Sequence, residues 1–162
     1  DYDEAVRWYR LAALQGNVDA QFNLGVLYQM GEGVTQDYRE AAKWYLLAAL
    51  QGNASAQNNL GVLFGNGEGV TQDYDEAVRL FRLSAEQGNA GAPKYLGEMY
   101  ASGKGVTQNN LYAHMWFNIA ASSGDADAVK NRDFMAEKMT AADISKAQDL
   151  ARACVQKNYK GC

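Results

Sequence analysis

Between residues 38 and 50, Ala41, Ala42, Trp44, Tyr45, Ala48 and Ala49 recur at spacings of three and four. That spacing puts them on one face of a helix. From about 54 to 66, Ala56, Leu60, Leu63 and Phe64 make a second helical stripe, with Gly61 small enough to let a neighbouring helix approach. Asp37 with Glu40 has the N-cap and N3 pattern of a capping box, repeated as Asp1/Glu4 and Asp73/Glu76. Gly52 falls where a helix ends in a left-handed residue, Asn53 caps the next helix, and Gly67-Glu68-Gly69-Val70 closes it, with Val70 expected to plug the core. Pro93 is placed in a first helical turn, where its missing N–H costs nothing. No alternating run of strand length occurs.

The pattern repeats. Gly16, Gly52, Gly88 and Gly124 are evenly spaced, as are Gly31, Gly67 and Gly103. Laying 1–36 on 37–72 matches every position except 3, 6, 7, 10, 18, 19, 22, 28, 29 and 30. The reading is of short antiparallel helix pairs stacked in series, each too small to bury its own apolar face. The period fails after Gly124, where Arg132-Asp133 replaces the expected Leu-Gly. Thr140 to Asp143 then opens a last helix over about 141–157. Its stripe is Ile144, Ala147, Leu150, Ala151, Cys154 and Val155, and its polar face is Lys146, Asp149, Arg152 and Lys157. A polar-faced terminal helix is what an array needs as a cap. Asp1 falls at mid-unit, so a piece of a longer chain is expected.

The string from Ala56-Gln-Asn-Asn-Leu60-Gly61 through Gly67-Glu-Gly69-Val70 to Asp73-Tyr-Asp-Glu-Ala77, followed by Ala85 and Gly88, resembles the Sel-one-like repeat, a relative of the tetratricopeptide repeat. The resemblance covers residues 1 to about 128. It implies an all-α, right-handed α-solenoid with a concave groove that binds proteins or peptides. The layout it implies is one array over 1–162. An orphan helix B at 1–15 precedes pairs at 16–51, 52–87 and 88–123, then a degenerate repeat with its cap at 124–162. The helix carrying Leu-Gly, helix A, lines the groove, and helix B packs outside. Carried over from the tetratricopeptide pattern, the groove positions are Asp19, Phe22, Asn23, Val26 and Gln29, then Ser55, Asn58, Asn59, Val62 and Asn66, then Lys94, Tyr95 and Glu98. Most of these differ between units whose core positions are copied, as at Phe22, Asn58 and Lys94. The asparagines suit a peptide backbone, and Lys94 suits a carboxylate, although a full carboxylate clamp needs more cations than this.

Composition narrows the chemistry. Fifteen Lys and Arg against 19 Asp and Glu leave a net charge of −4, which argues against a nucleic-acid partner. No apolar run approaches the roughly 20 residues of a membrane span. One histidine, His114, excludes a multi-histidine metal site, and it reads as structural or exposed. The Trp8, Trp44 and Trp116 series, with Tyr9, Tyr45, Phe81 and Phe117, reads as core rather than a ligand-stacking ladder. Arg7, Arg10, Lys43, Arg79 and Arg82 lie beside Glu4, Glu40 and Glu76 as solvated faces. Cys154 and Cys162 are the two cysteines, and Asn158 and Gly161 let the chain turn back between them. A disulfide there implies an oxidising compartment, a bacterial periplasm or the secreted space. Together these readings predict a monomeric protein- or peptide-binding module with no cofactor, metal or catalysis. The alternatives are a cell-wall-directed enzyme and a structural spacer in a longer chain.

Overall fold

The computed structural model describes the backbone from residue 2 and side chains from residue 4 to Cys162. Among the described residues there are nine α-helices and no strand: α1 (Tyr2–Leu14), α2 (Val18–Met30), α3 (Tyr38–Leu50), α4 (Ala54–Asn66), α5 (Tyr74–Glu86), α6 (Ala92–Ser102), α7 (Asn110–Ser122), α8 (Ala126–Ala136) and α9 (Ala141–Gln156). The Asp1 cap lies outside the described residues. Contacts divide the chain into two compact units, Asp1–Leu80 and Phe81–Cys162, with the division inside α5.

Local sequence accounts for the helix starts from α2 onward. Asn17 and Asn53 accept from the backbone N–H of Ala20 and Ala56, both at 2.8 Å. Asp37 accepts from Arg39 and Glu40, and Asp73 from Glu76. The reciprocal half of the predicted capping box is absent, however. Glu40 pairs forward with Lys43, and the Asp37 N–H donates to the Tyr28 carbonyl. A backbone acceptor one helix back satisfies that donor and frees the glutamate. In the third pair the helix starts late, at Ala92, with Pro93 in its first turn. Asn89 still supplies the cap, accepting from Gly91 and Ala92.

In the first unit α2 packs between α1 and α3, and α3 against α4. Tyr45, Ala41, Ala48, Leu60 and Leu63 form its main core, with Val70 packed against it. A Cβ on Gly25 would stand 2.6 Å from the Tyr45 ring, so glycine there is what lets α2 and α3 touch. Gly97 does the same for Phe117 between α6 and α7. Gln21 is buried and donates to the Ala13 carbonyl while accepting from Gln51 Nε2 at 2.8 Å, which stitches three helix ends together. In the second unit α7 is central, packed against α6, α8 and α9.

The core reading of the aromatic series holds for Trp116, Tyr45, Phe81 and Phe117, all buried. It fails for α1, where Trp8 is 65% exposed and Tyr9 is at the surface. Tyr45 and Phe117 are covered by the helix A that precedes them, α2 and α6, whereas the main packing of α1 is on the helix that follows it, α2. Trp44 is intermediate, packed against the Val6, Ala13 and Leu24 cluster. His114 is buried, consistent with a structural role. In α9 the buried stripe is Ala147, Ala151 and Cys154, with Ile144 and Leu150 half-buried. Val155, expected in that stripe, is exposed because α9 leans on α7 along its small side chains.

Candidate functional site

The predicted groove positions on helices α2, α4 and α6 are mostly half-buried. Asp19 and Asn66 are exposed. Within the first unit the Tyr45 hydroxyl, rising from α3, gathers two of them. It donates to Gln29 Oε1 of α2 at 2.6 Å and accepts from Asn59 Nδ2 of α4 at 3.2 Å. Burial pushes the Tyr45 phenol up to about 12, so it remains a neutral donor at physiological pH. Phe22 lies 5.9 Å from the Tyr45 ring, centroid to centroid, and Phe22 and Val26 pack on the core around it.

This changes the roles expected of individual side chains. Asn59 and Gln29 are committed to Tyr45, so they shape the face rather than reach for a ligand. Asn58 Nδ2 makes a long 3.5 Å contact with Asn59. Asn66 turns to Glu68. Asn23 and Ser55 stand half-buried beside the framework that Tyr45 makes of α2 and α4, with Val62 the apolar neighbour on α4.

In the second unit Lys94 was expected to await a ligand carboxylate. It instead meets Asp125, the N-cap of α8, at 3.6 Å, and sits 5.6 Å from the Tyr95 ring centroid. The Ala128 N–H bond, assisted by the nearby Lys94 charge, holds the Asp125 carboxyl below its usual range. Burial raises Glu98, against the pull of Lys94. Tyr95 stacks on Phe81 at 4.9 Å. Tyr45 and Lys94 thus do comparable work, each linking two A helices across the B helix between them.

Sequence reasoning missed Tyr45 and Asp125 as organisers. A buried tyrosine where other repeats carry Phe81 or Phe117 was the available signal for the first. The second had none, because Lys94 and Asp125 are far apart in the chain. Of the expected solvated cation faces, Lys43 and Arg79 pair with glutamates three residues earlier, as expected, while Arg10 and Arg82 donate instead to the hydroxyls of Tyr28 and Tyr100. In the middle copy these become Leu46 and Phe64, so the polar pair is replaced as a pair.

Cys154 and Cys162 lie at disulfide distance, their Cα atoms 5.7 Å apart. Asn158, Tyr159 and Gly161 take positive φ to bring the tail back, and Tyr159 stacks near Trp116. Among the described residues no group of acidic, His or Cys side chains is arranged to hold a metal, and no helix is long and apolar enough to cross a membrane.

The Sel1 repeat model matches residues 1–17, 18–53, 54–89 and 94–125. Among solved structures, the chain is similar to c5321, a protective antigen of uropathogenic Escherichia coli strains displaying an SLR fold. The identity is 44% and the TM-score 0.76, over 79% of this chain and 27% of that one. It is also similar to a Sel1 repeat protein from Oxalobacter formigenes, at 38% identity and a TM-score of 0.72, over 78% of this chain and 52% of that one. The chain therefore spans from about a quarter to about half of the length of these neighbours. No curated protein matches it. The all-helical fold class is that of these SLR and Sel1 structures.

Proposed function

Because the chain belongs to the Sel1 repeat family, whose members are helical repeat scaffolds and generally non-catalytic, we propose that it is a binding module that engages a protein segment on the A-helix face of its first unit. The observation that supports this reading is the Tyr45 hydroxyl, which holds Gln29 of α2 and Asn59 of α4 together. A preorganised face lowers the entropic cost of binding. Asn23 and Ser55 offer hydrogen bonds to an extended backbone, and the Phe22 ring offers an apolar anchor of the kind that dominates binding energy. In the second unit, the Lys94–Asp125 pair gives an equivalent face a polar edge.

The cysteine pair supports a site of action in an oxidising, extracytoplasmic compartment such as a bacterial periplasm. The test is a photo-crosslinking residue placed at Asn23, with one at exposed Arg39 on helix B as control. A partner captured at 23 and lost when Phe22 and Ser55 become Ala supports the reading. Capture that ignores those substitutions, or none at 23, refutes it.

A further inference from the structure

From Val155 to Cys162 two side chains turn inward. Tyr159 and Cys162 are half-buried, whereas every other residue of that stretch is exposed. The Tyr159 ring stacks near Trp116 of α7, with centroids 6.5 Å apart and planes at 19°. Cys162 reaches Cys154 of α9, which is 2% exposed. Beyond its own backbone bonds, the segment is thus fastened by a ring and by a sulfur.

The turn that starts the segment is a Schellman end. The Tyr159 N–H donates to the Cys154 carbonyl at 2.9 Å, and the Asn158 N–H to the Val155 carbonyl at 3.0 Å. That motif accounts for a left-handed Asn158, at φ +50°. It does not account for Tyr159, whose φ is +65°. A left-handed backbone is unfavourable for a bulky L side chain, so something outside the turn holds Tyr159 there. The Trp116 contact does so from one side, and the Cys162 tether, reached through a left-handed Gly161, does so from the other. Each fastening keeps the segment where the other can close, so the two support each other reciprocally.

We propose that residues 158–162 form a redox-responsive strap: the Cys154–Cys162 bond holds the Tyr159 ring against Trp116, and an external dithiol that reduces the bond releases the strap from α7. The dithiol attacks as a thiolate at Cys162 Sγ, because Cys154 is buried. The S–S bond breaks, and its electron pair leaves on Cys154 Sγ, which takes up a proton. The second thiolate of the reductant then attacks its own sulfur in the mixed disulfide. Cys162 leaves as a thiolate and is protonated in turn, the two protons being those the dithiol gave up. The reductant ends as a cyclic disulfide and the chain as two thiols. With the tether gone, Tyr159 returns to an ordinary backbone conformation. The flank of α7 at Tyr112 and Met115, which lines one cleft with Gly161 and Cys162 in the closed form, is uncovered. The helix α9 stays seated on α7 through its buried Ala147 and Ala151. The strap is separate from the A-helix face proposed above.

The experiment compares the full chain, oxidised and reduced with dithiothreitol, by NMR. Overhauser contacts between the Tyr159 and Trp116 rings are expected in the oxidised form and lost in the reduced one. The Tyr159 amide should exchange at least about tenfold faster after reduction, with the α7 amides still protected. Titration against mixtures of reduced and oxidised dithiothreitol then reads the coupling. Tyr159→Ala keeps the left-handed demand and removes the ring, so reduction should become easier by roughly two- to tenfold, the worth of an aromatic pair. Tyr159→Phe should restore the original equilibrium. Brief exposure to glutathione, quenched with acid, should leave the mixed disulfide on Cys162. Ring contacts that survive reduction overturn the proposal, because the strap then does not open. Loss of α7 protection together with that of residue 159 also overturns it, because the bond then holds the fold rather than a strap. So does an unchanged equilibrium in Tyr159→Ala, or a glutathione adduct on Cys154.

Discussion

Replacing Gly69 by Ala tests how one repeat is seated on the next. Gly69 closes the loop after α4 with φ at +70°, and a Cβ there would stand 2.3 Å from the Tyr38 carbonyl carbon and 2.6 Å from the Arg39 nitrogen. Two costs arise. The left-handed backbone itself costs alanine about 1–2 kcal/mol. The new methyl also meets backbone in the first turn of α3, which cannot rotate away as a side chain would. That turn is held by the Asp37 cap, whose carboxylate accepts from Arg39 N at 2.8 Å, and forcing such a contact costs a further 1–3 kcal/mol or about that.

Gly16 provides the control. Its φ is +86° and nothing lies within 4 Å of its Cβ position, so Gly16→Ala bears only the left-handed term of about 1–2 kcal/mol. Urea unfolding should therefore place Gly69→Ala about 1 M below Gly16→Ala in midpoint, for a slope of about 2 kcal/mol/M. The slopes of both variants must agree for that comparison to hold. Equal midpoints would refute the close packing of this loop on α3.

Three further outcomes follow from other contacts. Leu60→Ala should cost about 2–5 kcal/mol in chemical denaturation, as a cavity in the first unit's core, whereas Asn58→Ala should change stability by less than about 0.5 kcal/mol; similar costs would mean that the α4 face is misassigned. Burial, with help from the nearby Arg132 charge and against Asp133, lowers the His114 pKa, so the unfolded chain takes up the proton first. Stability should be full above the ordinary histidine value of 6.5 and decline as pH falls from there toward the folded value. His114→Gln should flatten that part of a denaturation-midpoint profile, and an unchanged profile would show that His114 does not supply it. Finally, intact mass should rise by two hydrogens on reduction of Cys154–Cys162, with a loss of roughly 2–3 kcal/mol by the loop-closure model; two freely alkylatable thiols in oxidised protein would refute the link.

The helices and their ends were legible because their causes are local. A 3.6-residue period, an Asn or Asp followed within three residues by the N–H it accepts from, and a glycine at the turn all lie within a few positions of one another, as at Asn53–Ala56. The repeat then told which residues share a role. For the expected groove positions, the sequence could not supply the duties of the individual side chains. Asn59 and Gln29 serve Tyr45, and Lys94 serves Asp125, because three-dimensional packing brought partners from other helices within reach.

Sequence periodicity likewise made Trp8, Trp44 and Trp116 equivalent, and only the tertiary structure made them differ. Burial is a property of what lies opposite a side chain. Trp116 has α9 and its tail near it, Trp44 has the α1–α2 cluster, and Trp8 has solvent over most of its surface. Copied sequence determines a copied helix face, whereas covering one copy and leaving another bare depends on which helix the chain carries back to that place. Here α9 is brought to α7, and the leucines of α1 and α3 remain open.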